Sequence, residues 1–103
     1  MVVRARENDI QIIGATTMPF QGSPFYQSDA KTEASRQKIN AWIRTPGNFD
    51  AVIDFDALMR SPDDPATLDA GFDSGDHLHP SIAGYKAMAE FVPLELFKNA
   101  SPP

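Results

Sequence analysis

The sequence predicts an α/β fold with a short parallel sheet. Residues 10–16 (IQIIGAT) form an almost wholly apolar run around Gly14, which is typical of a strand buried on both faces. Residues 51–55 (AVIDF) form a second β-rich apolar run. A helical pattern at 30–44 lies between them, so the order strand, helix, strand predicts a βαβ unit with parallel strands.

The helix predicted at 30–44 has a start signal, a stop signal and two contrasting faces. Asp29 is a favourable N-cap residue, and Pro46 and Gly47 end the pattern. The apolar face carries Ile39, Trp42 and Ile43. The face expected to contact water carries Lys31, Arg36 and Lys38.

Two loops and a final helix complete the predicted organisation. Residues 17–28 combine prolines, a glycine and aromatic side chains, and residues 61–75 are rich in Pro, Asp and Gly, so both segments are expected to be loops. A helix is expected near 81–92. Its apolar stripe consists of Ile82, Tyr85, Ala89 and Val92. Residues 2–8 resemble the last turns of a helix, and residues 99–103 a frayed tail.

Composition and charge favour one globular domain over residues 1–103 and exclude several partner classes. Hydrophobic residues make up 42% of the chain and charged residues 22%. Fourteen acidic against nine basic residues give a net charge of -5, without a Lys/Arg block, so no nucleic-acid partner is expected. No apolar run approaches the ~20 residues of a membrane-spanning helix. These properties leave the cellular compartment undetermined.

The stretch at 73–90 (DSGDHLHPSIAGYKAMAE) contains an acid and a histidine in a spacing that suits acid–base chemistry. A carboxylate held against one imidazole nitrogen fixes the tautomer and stabilises the imidazolium, so the other nitrogen is free to take a proton from a serine hydroxyl. We therefore expect His79 to act as a general base and Asp76 to orient it. The same spacing also occurs where a loop Asp caps a turn and the His is merely solvated.

The same stretch closely resembles the final sequence block of the GDSL lipases and esterases, the SGNH hydrolases. In that family an Asp and a His spaced like Asp76 and His79 complete a serine triad before a helix that opens like HPSIAGY. IIGATTMPF is similar to the family's fourth strand and following loop, and FDAVIDFDALMRSPDDP to its fifth strand. The likeness spans about residues 4–97. It implies a flavodoxin-like three-layer α/β/α sandwich, here reduced to a truncated βαβ core and a C-terminal helix.

The chain departs from this family at the nucleophile. The Gly-Asp-Ser block that comes first in the family does not occur in the sequence. By resemblance, residues 1–103 form a single α/β domain that corresponds to the C-terminal part of such a hydrolase. Ser74 and Ser23 are poor replacements, because neither lies in a Gly-Asp-Ser or G-x-S-x-G sequence.

The resemblance implies hydrolysis of carboxylic esters through an acyl-enzyme, with this chain supplying Asp76 and His79. It implies no cofactor. The expected substrate is a small ester or a lipid, and Phe20 is the candidate substrate-binding residue. The acyl and alcohol preferences cannot be read from the sequence.

Two other interpretations remain open. A truncated family member without a nucleophile could be a non-catalytic binding module. Alternatively, His77 and His79, together with Asp73 and Asp76, could hold zinc or another divalent ion, because an H-x-H pair on an extended segment points both rings the same way. The sequence offers no further ligand cluster, so no metal site is predicted.

The strand at 10–16 also bears on whether this chain associates with another chain. In the family fold the strand at 10–16 has a neighbour on each side, and an unpaired apolar edge is a template for another strand. A two-stranded parallel sheet is also too small to be covered on both faces. The chain is therefore expected to form a homo-oligomer or to associate with an N-terminal half, unless the loop 17–28 folds back over the exposed face.

Overall fold

The structure, a computed structural model, describes residues 1–26 and 28–98 and has an α/β architecture. In chain order its elements are α1 (Val2–Glu7), β1 (Ile13–Ala15), α2 (Ala30–Arg44), β2 (Ala51–Ile53), α3 (Phe55–Met59), α4 (Ile82–Phe91) and a 3₁₀ helix (Leu94–Phe97). The predicted loops lie between them, and the tail predicted at 99–103 lies outside the described residues.

The predicted βαβ unit is confirmed, but its strands are shorter than expected. β1 and β2 pair in parallel, with Gly14 opposite Val52. The second strand ends at Ile53, because Asp54 caps the next helix and accepts a hydrogen bond from the Ala57 N–H. That helix, α3, begins inside the segment predicted as strand 51–55, so the prediction is wrong at Phe55.

Helix α2 begins and ends where the sequence predicts. The Asp29 side chain accepts a hydrogen bond from the Thr32 N–H, which confirms the predicted N-cap. The expected faces are only partly correct, since Ile43 is buried while Ile39 and Trp42 are about half exposed. Arg36 was expected to face water and is instead only 3% exposed.

Arg36 is buried because every side of its guanidinium finds an acceptor. It pairs with Asp56 on α3 at 2.6 Å and with Glu33 one turn earlier on α2. It also donates to the carbonyl oxygens of Thr17 and Pro65. A buried charge is tolerated when it is paired and hydrogen-bonded in this way. The network ties α2, α3 and both predicted loops together.

Helix α4 approaches the rest of the chain closely at its smallest residue. Ser81 caps it by accepting the Gly84 N–H, and Gly84 is buried. A Cβ atom at Gly84 would lie 2.7 Å from the Phe72 carbonyl oxygen, so only glycine allows this approach. The predicted apolar stripe does not face the core, because Ile82 is 91% exposed and Tyr85 more than half exposed.

The segment 2–8, read as helical from its sequence, forms α1 up to Glu7. None of the described helices combines the length and the apolar character that a membrane crossing requires.

Candidate active site

The Asp-x-x-His motif occupies a tight loop that leads into α4. The Ser74 N–H donates to the His79 carbonyl oxygen at 3.0 Å, and the Ser81 N–H donates to the Phe72 carbonyl oxygen at 2.7 Å. These two bonds hold the incoming and outgoing chains together. Residues 75–78 therefore form a closed turn whose position depends on the start of α4.

Asp76 and His79 form a close acid–imidazole pair, as their spacing predicts. Oδ2 of Asp76 lies 2.6 Å from Nδ1 of His79. Its other oxygen, Oδ1, accepts the N–H groups of Leu78 and His79 and the hydroxyl of Ser74. The carboxylate thus orients both the backbone and the ring of the candidate base.

These donors hold the pKa of Asp76 far below its usual range, with the His79 side chain as the largest cause and the backbone N–H groups of His79 and Leu78 next. The carboxylate is therefore ionised at neutral pH. The His79 side chain is 60% exposed. Within residues 1–26 and 28–98 no group hydrogen-bonds to its Nε2, so this nitrogen is accessible to a reactant.

A second acid–imidazole pair lies in the same loop. Oδ2 of Asp73 is 2.6 Å from Nδ1 of His77, and its Oδ1 accepts the N–H groups of Gly75 and His77. The Asp73 side chain is only 9% exposed. Burial is the largest single influence on the pKa of Asp73 and raises it. The hydrogen bonds from Gly75 and His77 together outweigh burial, so the pKa is lowered overall.

The structure removes the geometric basis for the alternative in which His77 and His79 bind one metal ion. His77 has φ +60°, so the segment is not extended and the two rings are not set in the same direction by a strand. Each imidazole has its own carboxylate, Asp73 or Asp76. Over the described part of the chain, no group of three or more His, Asp or Glu side chains is arranged to share a metal ion.

Neither serine considered from the sequence has its hydroxyl hydrogen-bonded to the ring of the candidate base. The Ser74 hydroxyl donates to Asp76 Oδ1 at 3.0 Å, on the carboxylate side of the pair. The Ser23 hydroxyl accepts the N–H groups of Phe25 and Tyr26 and so stabilises a local turn. Both contacts are hydrogen bonds of a kind that serine side chains commonly make in loops and turns.

Phe20, the candidate substrate-binding residue, lines a surface cleft of about 420 Å³. Among the described residues, Tyr26, Thr32 and Leu78 also line this cleft. We call this the Phe20 cleft. Because Leu78 directly precedes His79, the cleft and the candidate base share one loop.

Sequence analysis missed the pairing of Asp73 with His77. Both residues were considered as metal ligands, and their Asp-x-x-x-His spacing was the available signal. The Arg36–Asp56 pair was missed as well, because nothing in the local pattern of α2 distinguishes Arg36 from the lysines around it.

The family model described as the GDSL-like lipase/acylhydrolase family matches residues 1–87. A search of curated proteins found no match. The family match covers β1, α2, β2 and the Asp76–His79 loop.

Proposed function

Because the chain belongs to the GDSL-like lipase/acylhydrolase family, we propose that it acts in the hydrolysis of carboxylic esters and supplies the Asp and the His of a serine triad. The observation that carries the proposal is the 2.6 Å contact between Asp76 and His79 Nδ1, which leaves Nε2 unbonded within the described residues. Membership supports ester hydrolysis in general, and the pair supports His79 as the base and Asp76 as the residue that orients it.

In the proposed mechanism, Nε2 of His79 takes the proton of a serine hydroxyl as the serine oxygen attacks the ester carbonyl carbon. His79 then gives this proton to the departing alcohol, and an acyl-serine remains. In the second half, His79 takes a proton from water as the water oxygen attacks the acyl carbon, and it then gives this proton to the serine oxygen as the acid is released. Asp76 stays ionised throughout and stabilises the imidazolium.

The nucleophilic serine is proposed to come from a segment outside residues 1–103, in an N-terminal half that docks on this chain. Among the described residues β1 pairs only with β2, so its far edge is open to a further strand. Docking there would extend the two strands towards the three-layer sandwich implied by the family. The half-exposed Ile39 and Trp42 on α2 provide apolar surface for such a partner.

Phe20 is proposed to contact the apolar part of the ester. Its cleft is walled by Tyr26 and Leu78, and Leu78 is bonded to the residue that carries the base. An apolar group bound there would lie close to His79.

Complementation tests the catalytic role. The chain is mixed with the N-terminal half of an active family member, which carries a Gly-Asp-Ser block, and hydrolysis of p-nitrophenyl acetate and octanoate is measured. We expect activity from the mixture with the native chain and none with His79→Ala. A serine-reactive phosphonate should label the added half, and its labelling should also require His79. Equal activity with native chain and His79→Ala would contradict the proposal.

A non-catalytic binding role is the second candidate, favoured by the absence of a serine hydroxyl on His79 within the described residues. The same mixtures distinguish it. A chain that binds a non-hydrolysable substrate analogue but never supports phosphonate labelling would be a binding module.

A further inference from the structure

The residues on either side of Asp76 share an uncommon backbone conformation and one hydrogen-bond acceptor. Gly75 has φ +112° and His77 has φ +60°. Both donate their backbone N–H to the same carboxylate oxygen, Oδ1 of Asp73, at 2.8 and 3.0 Å. Asp73 therefore holds the chain immediately before and immediately after the residue that orients the candidate base. We call residues 73–79 the catalytic loop.

The two positive φ angles need support from outside the backbone. A left-handed conformation is unfavourable for a residue with a Cβ atom, such as His77. At Gly75 the conformation itself calls for glycine, because a Cβ atom there would meet nothing within 4 Å among the described residues. Strained backbone persists only where its surroundings fix it. The two hydrogen bonds to Asp73 supply that constraint.

The turn at His77 lets Asp76 reach the backbone that follows it. Oδ1 of Asp76 accepts the N–H groups of Leu78 and His79, at 2.9 and 2.8 Å. In an extended segment, consecutive N–H groups point to opposite sides and cannot meet one oxygen. The reversal at His77 brings both to the same side. The hold of Asp76 on His79 therefore depends on the conformation that Asp73 stabilises.

Asp73 is anchored in the fold more firmly than the pair it supports. Its side chain is only 9% exposed, against 27% for Asp76 and 60% for His79. Its backbone forms an antiparallel bridge with Pro80, which precedes the cap of α4. Surface side chains change rotamer freely unless they are held. Asp73 thus links an exposed acid–imidazole pair to the start of a helix.

The carboxylate of Asp73 does this without the imidazole of His77. The ring contacts the other oxygen, Oδ2, at 2.6 Å. The N–H groups of Gly75 and His77 use Oδ1, and they would remain after loss of the ring. The positioning group is therefore the side chain of Asp73.

We infer that Asp73 is a positioning residue of the catalytic loop, because it fixes the turn in which Asp76 holds His79 in the Nδ1–H tautomer. It acts through Asp76 and touches no reacting atom. Catalytic groups must be held within about 0.5 Å of their productive geometry. The effect on turnover rests on the proposed ester hydrolysis, whereas the effect on the His79 ring can be measured without it.

Two substitutions of nearly equal shape separate the acceptor from the bulk of the side chain. Asp73→Asn keeps an oxygen that can accept both N–H groups, and Asp73→Leu has none. The tautomer of His79 is followed by nitrogen NMR of its imidazole in the full chain, at a pH where the ring is neutral. We expect the ratio of Nδ1–H to Nε2–H tautomer to fall about tenfold in Asp73→Leu, the effect of one lost hydrogen bond to a carboxylate. Asp73→Asn should stay close to the native ratio.

Three further variants make the measurement specific. Asp69→Leu is the matched control, because Oδ1 of Asp69 accepts the Gly71 N–H in a similar turn outside the catalytic loop. His77→Ala should also stay close to the native ratio, since it keeps the N–H group and the native residue already has a Cβ atom there. Should Asp73→Leu fail to fold, Gly75→Ala strains the same turn with Asp73 intact and should lower the ratio. Urea unfolding shows which variants are folded.

Kinetics of the complemented enzyme give a second measurement. Misplacing a catalytic group by about 1 Å costs on the order of 100-fold in rate. We expect Asp73→Leu to lower kcat on that order, with KM changed less than about twofold, because the base acts in the transition state and not in substrate binding. Asp73→Asn should keep most of kcat.

A native tautomer ratio in folded Asp73→Leu would overturn the inference, as would equal falls in Asp73→Leu and Asp73→Asn or in Asp73→Leu and Asp69→Leu. If Asp73→Leu does not fold, a native ratio in Gly75→Ala overturns it. A lowered ratio in a chain that never supports hydrolysis would contradict the catalytic proposal alone. Hydrolysis with kcat and tautomer unchanged in Asp73→Leu would contradict only the role of Asp73.

Discussion

Asp76 holds His79 through both of its carboxylate oxygens: Oδ2 lies 2.6 Å from the ring Nδ1, and Oδ1 accepts the His79 backbone N–H at 2.8 Å. One carboxylate therefore sets the position of the residue and the tautomer of its ring.

Removing the base should remove the activity that the chain supports in the complemented enzyme. We expect His79→Ala to lower kcat on the order of 10⁴-fold or more, because the serine proton then has no acceptor. Asp76→Ala should also cause a large loss. His77→Ala should leave most of kcat, because its ring pairs with Asp73 and not with Asp76. Equal kcat losses at His77 and His79 would instead indicate that the two rings act as one unit.

The buried ion pair between Arg36 and Asp56 should be essential for stability. Arg36→Met leaves the fully buried Asp56 without its shortest partner, so we expect a loss of about 3–5 kcal/mol in the free energy of unfolding. Arg60 also contacts Asp56, at 3.1 Å, but is 39% exposed, and Arg60→Met should cost less than about 1 kcal/mol. Urea unfolding measures both. Similar losses of unfolding free energy in Arg36→Met and Arg60→Met would show that burial of the arginine side chain is unimportant.

Asp54 should make stability depend on pH in the acid range. Hydrogen bonds from Arg44 lower its pKa from 3.8 to about 2, and the Thr16 hydroxyl adds to them. The ionised group therefore stabilises the fold fully above pH 3.8, and this contribution is lost as the pH falls through about 2. We expect Asp54→Asn to cost about 1–2 kcal/mol at neutral pH and to flatten the acid dependence. The exposed Asp63→Asn is the control, and an unchanged acid slope in Asp54→Asn would refute this role.

Gly84→Ala should destabilise the chain although alanine is the better helix former. The new Cβ atom would meet the Phe72 carbonyl oxygen at 2.7 Å and the Pro80 side chain at 3.0 Å. We expect a net loss of about 1–3 kcal/mol and a change in the NMR signals of the catalytic loop, because Phe72 also holds Ser81. Ala83→Gly, on the exposed side of α4, is the control. It measures the effect of helix propensity alone, about 1 kcal/mol in the free energy of unfolding. A gain in thermal stability for Gly84→Ala would contradict the close approach.

The open edge of β1 should mediate association. Thr16 donates its N–H to Ile53, so by alternation Ala15 directs its N–H away from β2. Light scattering is expected to give a mass above that of the monomer, 11.3 kDa, for the native chain. Ala15→Pro removes an edge donor without breaking the β1–β2 ladder and should shift the mass towards the monomer. A native chain that stays monomeric at every concentration would contradict this proposal.

The local sequence determined where α2 begins and ends and which histidine Asp76 contacts. The Asp29 cap and the Pro46 and Gly47 stop define α2 because these residues act on their own backbone. The Asp76–His79 contact is equally local, since three positions in one turn bring a carboxylate to an imidazole whatever the rest of the fold does.

Tertiary structure decided which side of each element is buried. Arg36 becomes a core residue only because acceptors from α3 and from two loops converge on it, and these lie 19 to 29 positions away along the chain. Helix α4 approaches the fold closely at Gly84 and leaves Ile82 in solvent, since close backbone approach outweighs burial of one apolar side chain. The cleft lined by Gln21, Thr67 and His77 likewise forms where segments distant in sequence meet, and local spacing carries no information about such a meeting.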